Sequence, residues 1–153
     1  MDSDEDPKVR EVPSEHLAAH RHARIVVGVD GSFGAEAALR WAIREARERG
    51  LVLDVVAVWE DLAGEAGDGH LAVARERLDR ALEHVLRRRD LPKQVITAPL
   101  HGAPGLQLVE RAREAALLVL GTTGISSPEI PGGIGLYCLR NSSVPVVFVP
   151  STP

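Results

Sequence analysis

Short runs of consecutive apolar residues alternate along this chain with longer stretches in which apolar residues recur every three or four positions. Arg24 to Val29 (RIVVGV) is the first short run, apolar and β-branched, as expected of a strand buried on both faces. From Ala35 to Arg49, Ala35, Ala38, Leu39, Ala42 and Ala46 share one face with charges opposite, which predicts an amphipathic helix stopped by Gly50. Leu51 to Trp59 reads as a second strand, and a linker rich in Gly, Ala and acidic residues leads to a helix over about 70–89. Pro92 interrupts, Gln94 to Ala98 is a weaker third strand, and Gly102 and Pro104 open a helix through about Glu114. Leu117 to Leu120 and Val146 to Val149 are the fourth and fifth strands.

Strict alternation of apolar strands with amphipathic helices predicts an α/β fold: an open five-stranded parallel sheet, helices on both faces, with right-handed crossovers. Residues 1–22 are polar and acidic at first and lack sustained periodicity, so they read as a mobile tail preceding a domain over 23–151. In sheets of this kind ligands sit beyond the carboxyl ends of the strands, where the strand order reverses. Two loops of distinctive chemistry lie at such ends: Asp30-Gly31-Ser32 after the first strand, and Gly121 to Gly124 after the fourth.

Composition narrows the partners. The 153 residues suffice for one domain, the formal net charge is −4 with basic and acidic residues mixed, and nucleic acid is not an expected partner because no basic face emerges. Arg87, Arg88 and Arg89 form one basic cluster, placed where arginines suit a helix C-terminus. No apolar run approaches membrane-spanning length and no secretory leader is evident; with a single cysteine, Cys138, this makes a reducing cytoplasm the expected setting. Cys138 is expected to pack as a small hydrophobe, and His16, His20 and His22 as solvated imidazoles of the tail.

The segment from Gly121 onward carries the chemistry. A buried strand ends in Gly121, Thr122 and Thr123 follow, and Gly132, Gly133 and Gly135 open a short helix. Glycines let backbone N–H groups approach an anion closely, and a helix start adds a positive dipole end, so this order suits a phosphate cradle, although taken alone such a run is more often a series of turns and a helix cap. Asp30 either accepts hydrogen bonds from a ligand or caps a helix together with Ser32. Trp41 and Trp59 fit core packing better than base stacking, and His101 reads as a surface loop residue. No GxxxxGK[ST] loop, GxSxG elbow or HExxH pair occurs, so no catalytic residue or metal site is assigned.

The blocks RIVVGVDGS, AEAALRWAIREARERG, LDVVAVW, HGAPGLQLVERAREAALLVLG, the glycine segment and VPVVFVP together resemble the universal stress protein family over roughly residues 23–150. The resemblance implies an adenine nucleotide hydrolase-like, Rossmann-like sheet of strand order 3-2-1-4-5, a cytoplasmic setting and homodimers formed through the last strand. It also implies ATP or another adenine nucleotide, with Mg as its accompanying ion, lying across the first and fourth strands and cradled by a pattern G-x2-G-x9-G-[S/T]. Carried over by position, the nucleotide would meet Val29, Asp30, Gly31 and Ser32 after the first strand and Val58 near the adenine. Gly121, Thr122, Thr123, Gly124, Gly132, Gly133, Ile134 and Gly135 would surround the phosphates. Val144, Val146, Val147, Phe148 and Val149 would form the dimer edge.

This chain departs from the pattern in three ways. Ile125 to Pro131 is two residues shorter than the expected spacer, and Gly133 and Gly135 stand where the family has hydroxyl side chains. The acidic residue common before the fourth strand is Ala116 here. Three functions follow as expectations: a regulatory adenine-nucleotide-binding domain without rapid turnover, a dimeric interaction module without nucleotide, or an ATP-pyrophosphatase-like enzyme.

Overall fold

A computed structural model describes residues 8–20, 23–30, 33–60, 68–86, 91–122 and 133–151. Its strands are β1 (Lys8–Glu11), β2 (Arg24–Gly28), β3 (Val52–Trp59), β4 (Gln94–His101), β5 (Leu117–Gly121) and β6 (Val146–Val149). Its helices are α1 (Phe33–Arg49), α2 (Asp68–Leu86), α3 (Pro104–Arg111) and α4 (Gly133–Asn141). The strands form one sheet in the order β1-β4-β3-β2-β5-β6, every pair parallel. Its last five positions reproduce the order 3-2-1-4-5 that the resemblance implies.

The alternation of side chains along each strand separates two cores. Ile25, Val27, Leu53, Val55, Val95 and Val119 face α1 and α2, where Ala38, Leu39, Ala42, Ala46, Leu78 and Leu82 pack against them. Val26, Val56, Ala98, Leu118 and Leu120 face the other way, onto Leu108, Val109 and Ala112 of α3 and Cys138 of α4. Both faces of β2 are thus sealed, as its unbroken apolar run requires. Gly50 ends α1 with φ 67°, a conformation that glycine adopts without strain.

The N-terminal expectation needs correction for residues 8–20. Lys8–Glu11 adds a sixth strand beside β4, and two 3-10 turns, Ser14–His16 and Ala18–His20, carry the chain to β2. The hydrogen bond from Val12 N–H to the Thr97 carbonyl, and burial of Val12 and His20, tie this segment to the domain. A period-two pattern of four residues, KVRE, offers too little apolar signal to be read as a strand. Its charges suit a strand that now forms the sheet edge. α3 ends earlier than its apolar pattern predicts, at Arg111, and the residues after it turn toward β5. Arg87 to Arg89 lie outside the described residues, as does His22.

Candidate functional site

β2 and β5 are neighbours in the sheet, with Ile25 opposite Leu117 and Val27 opposite Val119. Both strands run the same way, so the chain leaving β2 at Val29 and Asp30 and the chain leaving β5 at Gly121 and Thr122 emerge side by side. The order reverses at this point: from β2 the chain moves to β3 on one side, and β5 lies on the other. This is the topological switch point, where open parallel sheets hold ligands.

Four of the expected residues meet there among those described. Val29 is buried in the core below, and its N–H donates to the Val56 carbonyl at 2.8 Å, holding the turn into the next residue. Asp30 follows as the half-buried residue at the mouth. Thr122 N–H donates to the Val149 carbonyl at 3.3 Å, which ties the second loop to β6. Gly121 sits against the first turn of α1: a Cβ there would lie 2.4 Å from the Gly34 carbonyl oxygen and 3.0 Å from the Gly34 Cα. No L side chain fits that gap without moving backbone, so the close approach of the two loops requires glycine at position 121.

Val58, near the end of β3, packs half-buried on the α3–α4 side of the sheet, next to this crevice. Gly133 opens α4, is exposed, and has nothing within 4 Å of where a Cβ would stand. Ile134 packs against the same core as Val58, and Gly135 is buried. The first-turn N–H groups of a helix have no intrahelical acceptor, so Gly133, Ile134 and Gly135 present a donor-rich, electropositive end. Gly31, Ser32, Thr123, Gly124 and Gly132 lie outside the described residues.

The residues expected to form the dimer edge are on β6 or just before it. Val144, Val146 and Phe148 are half-buried against the α3–α4 core, and Val147 and Val149 against the α1–α2 core. β6 ends the sheet and pairs with β5 on one side.

Three polar residues central to the architecture were missed in the sequence. Asp54 of β3 is fully buried and accepts a bidentate hydrogen bond from Arg111 of α3, with Nε to Oδ2 and Nη2 to Oδ1 both 2.9 Å. Arg24 Nε lies 3.4 Å from Asp54 Oδ2, and Arg24 Nη2 donates to the Arg111 and Arg113 carbonyls. Arg111 Nη1 donates onward to the Val12 carbonyl at 2.8 Å and to Ser14 Oγ at 3.1 Å. Burial pushes the Asp54 carboxyl above its ordinary value, and the hydrogen bonds and charge of Arg111, then Arg24, oppose that rise. Burial likewise lowers the Arg24 guanidinium. An aspartate inside LDVVAVW was the available signal, because a buried carboxylate demands a buried cation elsewhere.

Two other expectations change. His101 is the last residue of β4, not a loop residue, and its ring stacks on Trp59 with centroids 4.1 Å apart and planes inclined by 24°. His20 is buried, and its carbonyl accepts from Arg24 Nη1 at 3.3 Å. Trp41 and Trp59 pack against the α1–α2 core as expected. Cys138 is buried, and desolvation pushes its thiol up to about 11. No helix among the described residues is long and apolar enough to cross a membrane.

Comparison with known proteins agrees with the geometry. The model of the universal stress protein family matches residues 22–150. Universal stress protein Rv3134c of Mycobacterium tuberculosis is 31% identical over 132 residues, covering 84% of this chain and 49% of that protein. Rv2624c of the same organism is 34% identical over 131 residues, covering 83% of this chain and 48% of its own length. The chain therefore spans about half the length of these relatives. Among solved structures, a universal stress protein in complex with cAMP superimposes with a TM-score of 0.64 at 27% identity, covering 86% of this chain and 99% of that one. The universal stress protein of Archaeoglobus fulgidus in complex with dAMP gives 0.66 at 28% identity, covering 82% and 96%. With its motifs, its sheet order and its switch-point crevice all of one kind, the chain belongs to the universal stress protein family.

Proposed function

We propose that this domain binds an adenine nucleotide, ATP foremost, in the crevice between Asp30 and Gly121, and acts as a regulatory module without rapid turnover. The juxtaposition of those two residues at the switch point carries the reading. Asp30 accepts from ribose or adenine donors, Val29 and Val58 border the apolar side, and phosphates lie toward Thr122 and the N-terminus of α4. That helix start offers the N–H groups of Gly133, Ile134 and Gly135 to an anion, with Mg as the counter-ion in solution. Solved relatives holding cAMP and dAMP support the adenine class. No residue of the crevice is assigned a role as nucleophile or general base, so hydrolysis is not part of the proposal. The half-exposed β6 supports a homodimer that covers this edge, in a cytoplasmic setting.

Calorimetric titration of nucleotide-stripped protein with ATP and AMP tests this. Saturating heat is expected, and none at high micromolar ligand for either nucleotide sinks the reading.

A second reading has its own observation. Gly133 and Gly135 replace two phosphate-facing hydroxyls, each lost hydrogen bond to a charged group being worth about 1.5–3 kcal/mol before water compensates. On that reading the domain is a dimeric interaction module, and nucleotide neither co-purifies with it nor shifts its melting temperature.

A further inference from the structure

α3 closely touches both the strand that leads to Asp30 and the helix that begins at Gly133. Toward the sheet, Gly28 stands two residues before Asp30, and a Cβ there would lie 3.0 Å from Leu108 Cδ2. Toward α4, Gly105 is buried one turn before Leu108, and a Cβ on it would lie 2.8 Å from Cδ1, 3.0 Å from Cγ and 3.1 Å from Cβ of Tyr137. Cys138 Sγ lies 3.9 Å from the Gly105 carbonyl oxygen, so consecutive residues of α4 straddle this one glycine.

The contact at Gly105 is with the root of the tyrosine side chain. Tyr137 Cβ is fixed to the α4 backbone and Cγ moves only with χ1, so turning the ring about χ2 relieves neither contact, and a larger residue at position 105 displaces α4 itself. The ring is 39% exposed, so it rests on α3 rather than filling the core. Four residues at 1.5 Å rise place Tyr137 about 6 Å along the axis from Gly133, within one hydrogen-bonded turn. A shift at Tyr137 is therefore carried to the N–H groups of Gly133, Ile134 and Gly135, and hydrogen bonds to an anionic oxygen weaken steeply when length or angle is lost.

From this arrangement we infer that Tyr137, seated on Gly105, is a positioning residue for the phosphate end of the nucleotide site: through α3 it sets where the start of α4 stands relative to Asp30. The inference rests on the nucleotide reading proposed above. Adenosine, which has no phosphate, makes no use of the seat.

ATP and adenosine are the probes, each titrated into the full chain while ¹H–¹⁵N spectra follow the backbone amides. Gly105→Ala is expected to move the Gly133 and Gly135 signals in the free protein and to weaken ATP by about tenfold, with adenosine changed by less than about twofold. Tyr137→Ala, which leaves α4 without its seat, is expected to weaken ATP by about threefold, while Tyr137→Phe keeps the ring and the wild-type affinity. With Ala at position 137 the two closest contacts are gone, so adding Gly105→Ala there is expected to cost ATP less than about threefold. Unmoved amide signals of β2 and β5 confirm that each variant folds, and the two Tyr137 variants carry the test if Gly105→Ala does not. Equal losses for ATP and adenosine, an equal cost of Gly105→Ala with Tyr or Ala at position 137, or full ATP affinity in Tyr137→Ala overturns the proposal. Wild-type protein that binds neither ligand rejects the nucleotide reading and this proposal with it. Wild-type binding of ATP with an unchanged ratio of the two affinities in the variants rejects the seat alone.

Discussion

Arg111 and Asp54 form a buried pair in which both side chains are wholly withdrawn from solvent and joined by two hydrogen bonds of 2.9 Å. The pair links the middle of β3 to the last residue of α3, and the remaining Arg111 donor holds the Val12 carbonyl. Removing the carboxylate strands two guanidiniums, those of Arg111 and Arg24, in a low-dielectric interior. Asp54→Ala is expected to cost about 3–5 kcal/mol in urea denaturation, the range for breaking a buried pair. Arg111→Met combined with Asp54→Leu is expected to recover part of this loss, since it leaves Arg24 alone without a countercharge. A loss below about 1 kcal/mol for Asp54→Ala means that the pair contributes nothing beyond its volume.

The same arginine fastens the N-terminal segment. Arg111→Met removes the donors to the Val12 carbonyl and Ser14 Oγ, leaving the short β1–β4 ladder, the Val12–Thr97 backbone bond and the exposed Glu11–Arg75 pair. Exposed ion pairs contribute about 0–1 kcal/mol, so they add little to the ladder of a four-residue edge strand. Amide exchange at Val9 to Val12 is therefore expected to accelerate in this variant more than exchange in β2, and equal acceleration in both assigns the effect to global destabilisation.

The sheet was legible because its inner strands are predominantly apolar runs and its helices repeat at 3.6, which two-sided burial imposes. The switch-point crevice was legible because Asp30 and Gly121 end such runs. β1 was not, because an edge strand with charges at Lys8, Arg10 and Glu11 has no buried face long enough to generate a pattern. Nor was the Asp54–Arg111 pair, since its partners lie 57 residues apart and only the fold brings them together. The Trp59–His101 stack depends on strand register, which a sequence pattern leaves open.

Two glycines of the candidate site make opposite predictions. Gly121→Ala places a methyl group against the Gly34 backbone and is expected to destabilise by about 1–3 kcal/mol, the range for overpacking, while displacing the first turn of α1. Gly133→Ser enters open space at the start of α4, so stability should change by less than about 1 kcal/mol. If phosphates lie at that helix start, the new hydroxyl adds a hydrogen bond to a charged group and ATP affinity rises by about tenfold. Calorimetry on the two variants separates the effects, and a Gly133→Ser affinity equal to wild type places the phosphates elsewhere.

Burial of Cys138 makes part of the fold's stability sensitive to alkaline pH. Its thiol is raised from 9.0 to about 11 by desolvation in the α3–α4 core, with only a long contact of 3.9 Å to the Gly105 carbonyl. Because the folded value lies above the unfolded one, the unfolded chain gives up this proton first as pH rises. The resulting stability is fully present below pH 9 and is lost between pH 9 and about 11. Urea midpoints measured across that window should fall for the wild type, and Cys138→Ala, which has no proton to lose, should fall less steeply from a lower starting value. The thiol should also react with a disulfide reagent only at the rate of opening, since access and the thiolate form both require it to leave the core. Rapid stoichiometric labelling of the native protein at pH 7 contradicts both expectations, because it requires an exposed, ionised sulfur.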